Sequence, residues 1–244
     1  MAKRRIVVLQ NDQEWIDYLL EAFDDTPSTP EAAKSPQEAL DLVRRGNPDV
    51  VFASPGLLTK PVTAALQAHR ASNADFRVFS LGKTEGPSAY PFDGVFEGMS
   101  ESIRDFEKKL APHLPLPAQI HLLVVDDQPG IGEMFRDYFD HRTDPQFIVE
   151  TALNGLEAEK KIEKQFPDVM VLDIKMPEKD GRELFRELKQ KGKLPPTIVF
   201  CDLIASEEIL YFRKWGNPAF IEKGAHTSTP PALAALIKKI AYFG

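Results

Sequence analysis

The sequence carries one stretch in two versions: Pro48-Asp49-Val50-Val51-Phe52-Ala53-Ser54 and, 119 positions later, Pro167-Asp168-Val169-Met170-Val171-Leu172-Asp173. In both versions an acidic residue is followed by four apolar residues and then by a polar one. Short, uninterrupted apolar runs are typical of strands that are buried on both faces of a parallel sheet. The repeat therefore predicts two domains of the same kind.

The segments around this strand repeat as well. Each half opens on an apolar run, Ile6–Leu9 or Leu122–Val125, and an amphipathic helical pattern follows it. At the offset of 119, Ser35-Pro36-Gln37-Glu38-Ala39, which has the pattern of a capped helix start, matches Asn154-Gly155-Leu156-Glu157-Ala158. The alternation of strands and helices predicts an α/β chain of two tandem (βα)5 flavodoxin-like domains, each with a doubly wound parallel sheet.

Three prolines separate the two halves, in the segment Ala111-Pro112-His113-Leu114-Pro115-Leu116-Pro117. Alternating prolines cannot form a helix or a central strand. We therefore expect a short, semi-rigid linker at residues 113–118, between a first domain at 1–112 and a second domain at 119–244. The last helices of the two domains are predicted at Ser102–Leu110 and Pro231–Tyr242.

Composition narrows the function. The 244 residues include 30 Lys and Arg against 37 Asp and Glu, and the net charge of -7 is shared by both halves. Neither half has the basic stripe of a phosphate-backbone binder, so we expect no direct nucleic-acid binding.

The single cysteine excludes an internal disulfide and suits a reducing compartment. The first apolar run is too short for a signal peptide and none approaches a membrane span, so we expect a cytoplasmic protein without membrane contact.

Carboxylates follow two of the apolar runs in the second half. Asp126 and Asp127 come directly after Leu122–Val125, and Asp173 comes after Val169–Leu172. Ligands of open α/β sheets bind outside the carboxyl ends of the strands, where these three side chains would meet. Like charges about 4 Å apart repel by about 4 kcal/mol at an effective dielectric near 20, so the cluster needs a cation, and oxygen ligands favour Mg²⁺. For the adjacent pair alone, a polar loop or a helix cap is the alternative.

The residues after the third carboxylate resemble a known family. Asp173-Ile174-Lys175-Met176-Pro177-Glu178-Lys179-Asp180-Gly181 is similar to the signature of CheY-like response regulator receiver domains: an aspartate, two residues, Met-Pro, and a turn that ends in Gly. The segment Ala152–Ala158 resembles the start of the family's second helix. Lys223 follows the predicted strand Ala219–Glu222, where receivers keep an essential lysine. The resemblance runs from about Ile120 to the C-terminus.

The resemblance implies a role for each of these residues. Asp173 would be the phosphorylation site. Asp127 would bind Mg²⁺ together with Asp173 and the backbone carbonyl of Lys175. Asp126 would act on the ion mainly through water, and Lys223 would pair with a phosphoryl oxygen.

Four further positions bear on switching. Cys201 stands where the family has a Thr or Ser that donates to the phosphoryl group; a thiol is a weaker donor, and a small buried filler is the alternative. Asp202 replaces a residue that is usually small, and we expect its carboxylate to point outward, since it would repel an entering phosphoryl group. Gly224 stands where proline is common. Phe220 matches the family's switch aromatic, with a plain core aromatic as the alternative.

The matching positions of the first half lack this chemistry. Gln10 and Asn11 stand in place of the acidic pair, Ser54 stands at the acceptor position, and no lysine follows Phe96. The first domain thus resembles a pseudo-receiver, which would serve in docking, dimerisation or masking.

Together these residues predict a response regulator of a bacterial two-component phosphorelay. Mg²⁺-dependent phosphorylation at Asp173 would switch protein–protein contacts, with no substrate turnover beyond self-phosphorylation and autodephosphorylation. The expected partners are a sensor histidine kinase or a phosphotransfer protein, an output protein, and a second copy of the chain in a homodimer. The alternatives are the regulatory part of a longer DNA-binding or enzymatic regulator, and an adaptor that acts without phosphorylation.

Overall fold

The computed structural model describes residues 4–83, 90–100, 102–141, 145–225 and 228–244. These residues form two compact units, which divide between Pro115 and Leu116. Each unit contains one five-stranded sheet in which all strand pairs are parallel. The predicted fold class is therefore confirmed.

Domain one alternates strands with helices along the chain. Its elements are β1 Ile6–Leu9, α1 Gln13–Ala22, β2 Glu31–Ala33, α2 Pro36–Gly46, β3 Val50–Ala53, α3 Lys60–Ser72, β4 Arg77–Leu81, β5 Gly94–Phe96 and α4 Ile103–Leu110. The strands lie in the order β2-β1-β3-β4-β5, which is the flavodoxin-like order with its switch point between β1 and β3.

Domain two repeats this arrangement. Its elements are β6 Gln119–Val125, α5 Pro129–Phe139, β7 Gln146–Ala152, α6 Gly155–Lys164, β8 Val169–Leu172, α7 Gly181–Gln190, β9 Thr197–Cys201, α8 Ser206–Arg213, β10 Ala219–Glu222 and α9 Pro230–Phe243. The strand order is β7-β6-β8-β9-β10. The switch point therefore falls between β6 and β8, the two strands that precede the predicted carboxylates.

The two domains differ in the connection between their last two strands. In domain two, 17 residues join β9 to β10 and include α8, whereas in domain one only 12 residues join β4 to β5. Among the described residues of that shorter connection, 82–83 and 90–93, none is helical. The described part of this connection therefore contains no counterpart of α8.

The repeated helix starts are capped in the same way. Ser35 Oγ accepts the backbone N–H of Glu38 at 3.3 Å, and the Glu38 carboxylate accepts the N–H of the residue before Ser35 at 2.9 Å. In domain two, Asn154 Oδ1 accepts the N–H of Glu157 at 2.9 Å, and Glu157 accepts the N–H of Leu153 at 2.9 Å. These reciprocal bonds satisfy donors that a helix leaves unpaired at its start.

The apolar residues of a single strand contribute to two hydrophobic cores, one on each face of the sheet. In β6, Leu122 and Val124 pack into one cluster of buried residues, while Leu123 and Val125 pack into another. Successive side chains of a strand point to opposite faces, so a strand covered on both faces needs apolar residues at every position. This requirement explains why the strand sequence is uninterrupted rather than alternating.

Two further observations concern the ends of the domains. A short 3-10 turn, Ala111–His113, follows α4, and the His113 ring lies 5.8 Å from that of Phe79 in domain one. The last helix, α9, begins at Pro230 and ends at Phe243, one residue beyond the prediction on each side.

Across the residues that the structure describes, no helix combines the length and the apolar character needed to span a bilayer.

Candidate functional site

Two neighbouring strands of domain two bring the three aspartates together. β6 and β8 pair in parallel with Val125 opposite Leu172, so Asp126 and Asp173 leave the sheet side by side. The backbone N–H of Asp173 donates to the Val125 carbonyl at 2.9 Å, which extends the pairing by one residue. One carboxylate oxygen from each of Asp126, Asp127 and Asp173 lies within 4.8 Å of the other two.

The backbone holds two of the carboxylates in place. Asp126 Oδ1 accepts the N–H of Gln128 at 3.0 Å, and Asp173 Oδ1 accepts the N–H of Ile174 at 2.7 Å. Both residues are buried, with 4% and 6% of their surface exposed, whereas Asp127 is exposed. Two of the three carboxylates are thus buried and held in place by the backbone, and the third, that of Asp127, faces solvent.

Lys223 closes the site from the end of β10. Its Nζ lies 2.9 Å from Asp126 Oδ2 and 3.1 Å from Asp173 Oδ2, and only 9% of its side chain is exposed. Its backbone N–H donates to the Cys201 carbonyl at 2.8 Å, which anchors the residue to β9. Burial alone would lower the pKa of Lys223, but its contacts with Asp126 and Asp173 outweigh burial and raise that pKa. The ammonium group is therefore charged at neutral pH.

The pKa of Asp173, the predicted phosphoryl acceptor, is shifted from its ordinary value. Burial raises the pKa of Asp173 above the ordinary value for an aspartate; the charge and hydrogen bond of Lys223 oppose this effect, while the charge of Asp126 adds to it. Perturbed titration of this kind, with a specific charge partner at a strand end, is typical of functional sites.

The donor set fits a small divalent cation. When all groups are ionised, three carboxylates face one ammonium, so two negative charges remain uncompensated. Asp126 Oδ2 is buried and accepts no hydrogen bond with good geometry from the described residues, although Lys223 Nζ lies beside it. Oxygen ligands with an open, solvent-facing side match the preferences of Mg²⁺, which keeps several waters. Asp126, Asp127 and Asp173 are the side chains that would hold it.

Two of the predicted switch residues, Cys201 and Asp202, lie at the end of β9, whereas Phe220 lies within β10. Cys201 is buried at the end of β9, and its thiol donates weakly to the Leu203 carbonyl at 3.4 Å. Burial, together with the charge of Asp173, raises the pKa of this thiol to about 11, so it is protonated at neutral pH. Asp202 is exposed. Phe220 is partly buried, and its ring meets that of Phe212 edge-on at 6.0 Å.

The loop that follows Asp173 is closed by a glycine. Gly181 donates its N–H to the Ile174 carbonyl at 2.9 Å, and a side chain at this position would collide with the backbone of Asp173 and Ile174. The Gly of the sequence motif is therefore needed for close approach of two backbone segments. Lys175, the remaining predicted ligand, lies in this loop and its side chain is exposed.

A second glycine explains one departure from the family pattern. Gly224 adopts a φ of 77°, in the left-handed region that favours glycine. Proline fixes φ near -65°, so the proline common at this position of receivers would not fit the backbone that follows Lys223 here.

Domain one presents a neutral version of the same edge. Gln10 is buried, and its Oε1 accepts the N–H groups of Asn11 and Asp12 at 2.9 and 3.2 Å. The bond to Asp12, two residues on, matches the bond that Asp126 accepts from Gln128, with an amide in place of a carboxylate. Ser80 Oγ donates to the Gly82 carbonyl at 3.0 Å. Within the described part of domain one, no three acidic, His or Cys side chains converge on a metal-sized space.

Two contacts near the site were not predicted from the sequence. Lys179, in the loop after Asp173, is buried and forms ion pairs with Glu159 and Glu187. Glu222 Oε1 accepts the N–H of Ile204 at 3.0 Å and so holds the loop after β9. Both involve residues far apart in sequence, and no local pattern marks them; a charged residue at the end of an otherwise apolar strand is the only signal for Glu222.

Comparisons with known proteins agree with this architecture. A profile of the response regulator receiver domain family matches residues 122–233. An uncharacterized 14.6 kDa protein of Leptolyngbya boryana is 34% identical over 93 residues, which are 37% of this chain and 69% of that protein. A protein-glutamate methylesterase/protein-glutamine glutaminase of Nocardioides is 38% identical over 84 residues, which are 34% of this chain and 23% of that protein. The chain spans less than a quarter of the methylesterase relatives that it matches.

A solved structure of a probable two-component system response regulator/GGDEF domain protein is similar over 98% of both chains, with 19% identity and a TM-score of 0.45. A five-stranded parallel sheet with aspartates and a lysine at its carboxyl edge defines the class: a receiver-type signalling domain. The chain belongs to the response regulator receiver family, and its second domain is the part that matches.

Proposed function

We propose that the chain is a response regulator of a two-component phosphorelay that is switched by Mg²⁺-dependent phosphorylation of Asp173. The observation that carries the proposal is the buried pair of Asp126 and Asp173 with Lys223 between them, at 2.9 and 3.1 Å. Such a site neutralises charge at the point where a phosphoryl group would be held. Positioning and charge neutralisation are what phosphoryl transfer mainly requires.

In the proposed step, one carboxylate oxygen of Asp173 attacks the phosphorus of a phosphohistidine or of a small acyl phosphate. The bond between phosphorus and the leaving group breaks, the leaving group keeps the electron pair, and an aspartyl phosphate forms. Mg²⁺ would supply charge neutralisation for the phosphoryl oxygens when it is bound. Lys223 would move from its carboxylate partners toward one of these oxygens. Hydrolysis by water returns the carboxylate and releases inorganic phosphate.

The phosphoryl group would act through protein contacts at the edge of the sheet. Cys201 and Asp202 lie at the end of β9, the neighbour of the strand that precedes Asp173, and Glu222 holds the adjoining loop. We propose that phosphorylation rearranges this loop and the Phe220 ring and so changes affinity for an output protein. The phosphodonor would be a sensor histidine kinase or a phosphotransfer protein in the cytoplasm.

For domain one we propose a pseudo-receiver. Gln10 stands where domain two has Asp126, and it accepts backbone N–H groups without carrying a charge. Among the described residues of domain one, Ser54 has no cluster of carboxylates beside it that could hold an activating cation. Docking, homodimerisation and masking of domain two are the uses that this proposal allows. The chain matches less than a quarter of the methylesterase relatives, so a role as the regulatory part of a larger regulator remains the second reading of the chain.

An adaptor that acts without phosphorylation is the alternative favoured by one observation. The Cys201 thiol already donates to Leu203, and it offers only a weak donor to a phosphoryl oxygen. If this weak donor abolishes the coupling between phosphorylation and partner binding, the phosphorylation site would have no effect on the protein's contacts.

The deciding experiment is intact-protein mass after incubation with acetyl phosphate, with and without Mg²⁺. The wild-type chain is expected to gain one phosphoryl group only when Mg²⁺ is present, and Asp173→Asn is expected to gain none. Asp137→Asn serves as a matched control, because it makes the same change at an exposed carboxylate of α5. Absence of incorporation in the wild type, both from acetyl phosphate and from a phosphorylated histidine kinase, would favour the adaptor.

A further inference from the structure

Lys179 is buried in the loop that carries the acceptor aspartate. Only 5% of the residue is exposed, which is unusual for a lysine. Its Nζ lies 2.7 Å from Glu159 in α6 and 2.7 Å from Glu187 in α7. Burial alone would lower the pKa of Lys179, but the two carboxylates outweigh it and raise that pKa. One charged group thus ties the loop to two different helices.

The backbone of the same residue is also fixed. The Lys179 carbonyl accepts the N–H of Gly155, the first residue of α6, at 3.0 Å, and the Lys179 N–H donates to the Pro177 carbonyl at 2.7 Å. At its base the loop is closed by the bond between Gly181 and Ile174. Residues 174–180 therefore form a short ring that is held at its base by backbone and at its far side by Lys179.

Lys191 provides a natural comparison. It contacts the same two carboxylates, at 2.7 Å from Glu159 and 3.7 Å from Glu187, but it lies after the end of α7 and 52% of its side chain is exposed. It shares the ion-pair network without touching the acceptor loop. If substitution of Lys179 and substitution of Lys191 have different effects on Mg²⁺ binding, the difference reports on the position of the loop rather than on the stability that the ion-pair network provides.

We propose that Lys179 is a positioning residue for the phosphorylation site. By holding the 174–180 ring on α6 and α7, it fixes the backbone beside Asp173, including the Lys175 carbonyl assigned to Mg²⁺. Buried ion pairs add little net stability compared with apolar residues of similar size, so stability alone gives little reason for a buried lysine here. This inference rests on the proposed function, because it concerns the same metal and the same acceptor.

The test compares Lys179→Met with Lys191→Met, since methionine keeps an unbranched side chain of similar length. The first readout is the dissociation constant for Mg²⁺ of the unphosphorylated chain, followed by the amide NMR signals of Ile174 and Gly181. The second is the Mg²⁺ concentration that gives half-maximal phosphorylation by acetyl phosphate. Loss of a group bonded directly to a metal ligand typically weakens metal binding by about 10- to 100-fold. Lys179 acts on the ligands only through the loop, so we expect the lower end of that range, about 10-fold, in Lys179→Met and less than about twofold in Lys191→Met.

The outcomes separate the inference from the function on which it rests. If the wild type is phosphorylated and folded Lys179→Met binds Mg²⁺ as tightly as the wild type, the positioning role is wrong while the proposed function stands. An equal loss in both lysine variants would also overturn it, since the effect would then belong to the network. If Lys179→Met does not fold, Glu187→Gln decides: weaker Mg²⁺ binding supports the role and an unchanged constant overturns it. Absence of phosphorylation in the wild type would instead overturn the proposed function, and the inference with it.

Discussion

Gly181→Ala tests whether the acceptor aspartate depends on the close approach of two backbone segments. A methyl carbon at Gly181 would lie 3.0 Å from both the Asp173 carbonyl carbon and the Ile174 Cα, and closer still to the Asp173 carbonyl oxygen. All three atoms are backbone, so no side-chain rotation can relieve the collision. Restoring an ordinary contact of at least 3.4 Å requires the loop to open by about 1 Å.

The displaced backbone belongs to Asp173, the proposed nucleophile. A misplacement of about 1 Å can lower a rate by about 100-fold, and we expect a loss of that size in phosphorylation by acetyl phosphate at saturating Mg²⁺, measured by intact mass over time. Overpacking typically destabilises a fold by about 1–3 kcal/mol. With roughly 4 °C per kcal/mol for a domain of this size, the variant remains folded at the assay temperature if the wild type melts in the ordinary range.

Gly130→Ala is the matched control. Gly130 lies in the first turn of α5, and a methyl group there would meet nothing within 4 Å. Because alanine is favoured over glycine within helices by about 0.5–1 kcal/mol, this variant is expected to melt slightly higher and to keep the wild-type rate. A folded Gly181→Ala protein that is phosphorylated at the wild-type rate would refute the reasoning.

Four further predictions follow from contacts described above. Cys201→Thr should strengthen the phosphorylation-induced change, because it restores a hydroxyl donor; the check is partner affinity or dimerisation of the phosphorylated protein, and no change contradicts it. Glu222→Ala should speed hydrogen exchange at the Ile204 amide, which loses its acceptor, and equal exchange in both proteins would show that the loop is held otherwise. Without Mg²⁺, Asp173→Asn should raise the melting temperature at neutral pH, because the raised pKa of Asp173 means that its ionisation disfavours the fold. That gain should be present above the folded-state pKa and disappear as pH falls below the ordinary aspartate value of about 3.9, whereas a gain that persists in acid would implicate packing. Ser54→Ala should leave phosphorylation unchanged by intact mass, and a loss would overturn the pseudo-receiver proposal.

The sequence predicted those parts of the molecule that depend on local patterns. The apolar runs before Asp126 and Asp173 are strands because each must cover both faces of a sheet, and parallel strands release their following residues at one edge. That argument placed Asp126, Asp127 and Asp173 together, and the structure brings them within 4.8 Å. The resemblance to receivers marked Lys223 at a strand end, and the structure joins it to Asp126 and Asp173. Their catalytic roles stay predictions.

Other parts depend on distant residues and could not be predicted this way. Lys179 reads as a surface charge in the sequence, and only the folded positions of Glu159 and Glu187 make it a buried anchor. The motif glycine at Gly181 suggested a turn, yet its steric role against the backbone of Asp173 appears only in three dimensions. In domain one, a (βα)5 pattern includes a helix between β4 and β5, and the described residues of that connection, 82–83 and 90–93, contain none.

The amide at Gln10 predicts different responses of the two domains to ions. Domain two holds the aspartates that we propose to bind Mg²⁺, whereas Gln10 accepts backbone N–H groups with an amide that neither titrates nor carries a charge. A ligand that binds only one folded domain stabilises only that domain. Calorimetry of the whole chain tests this difference: where the two domains melt separately, added Mg²⁺ should shift the melting of domain two and leave that of domain one at its original temperature, which makes domain one an internal standard for domain two.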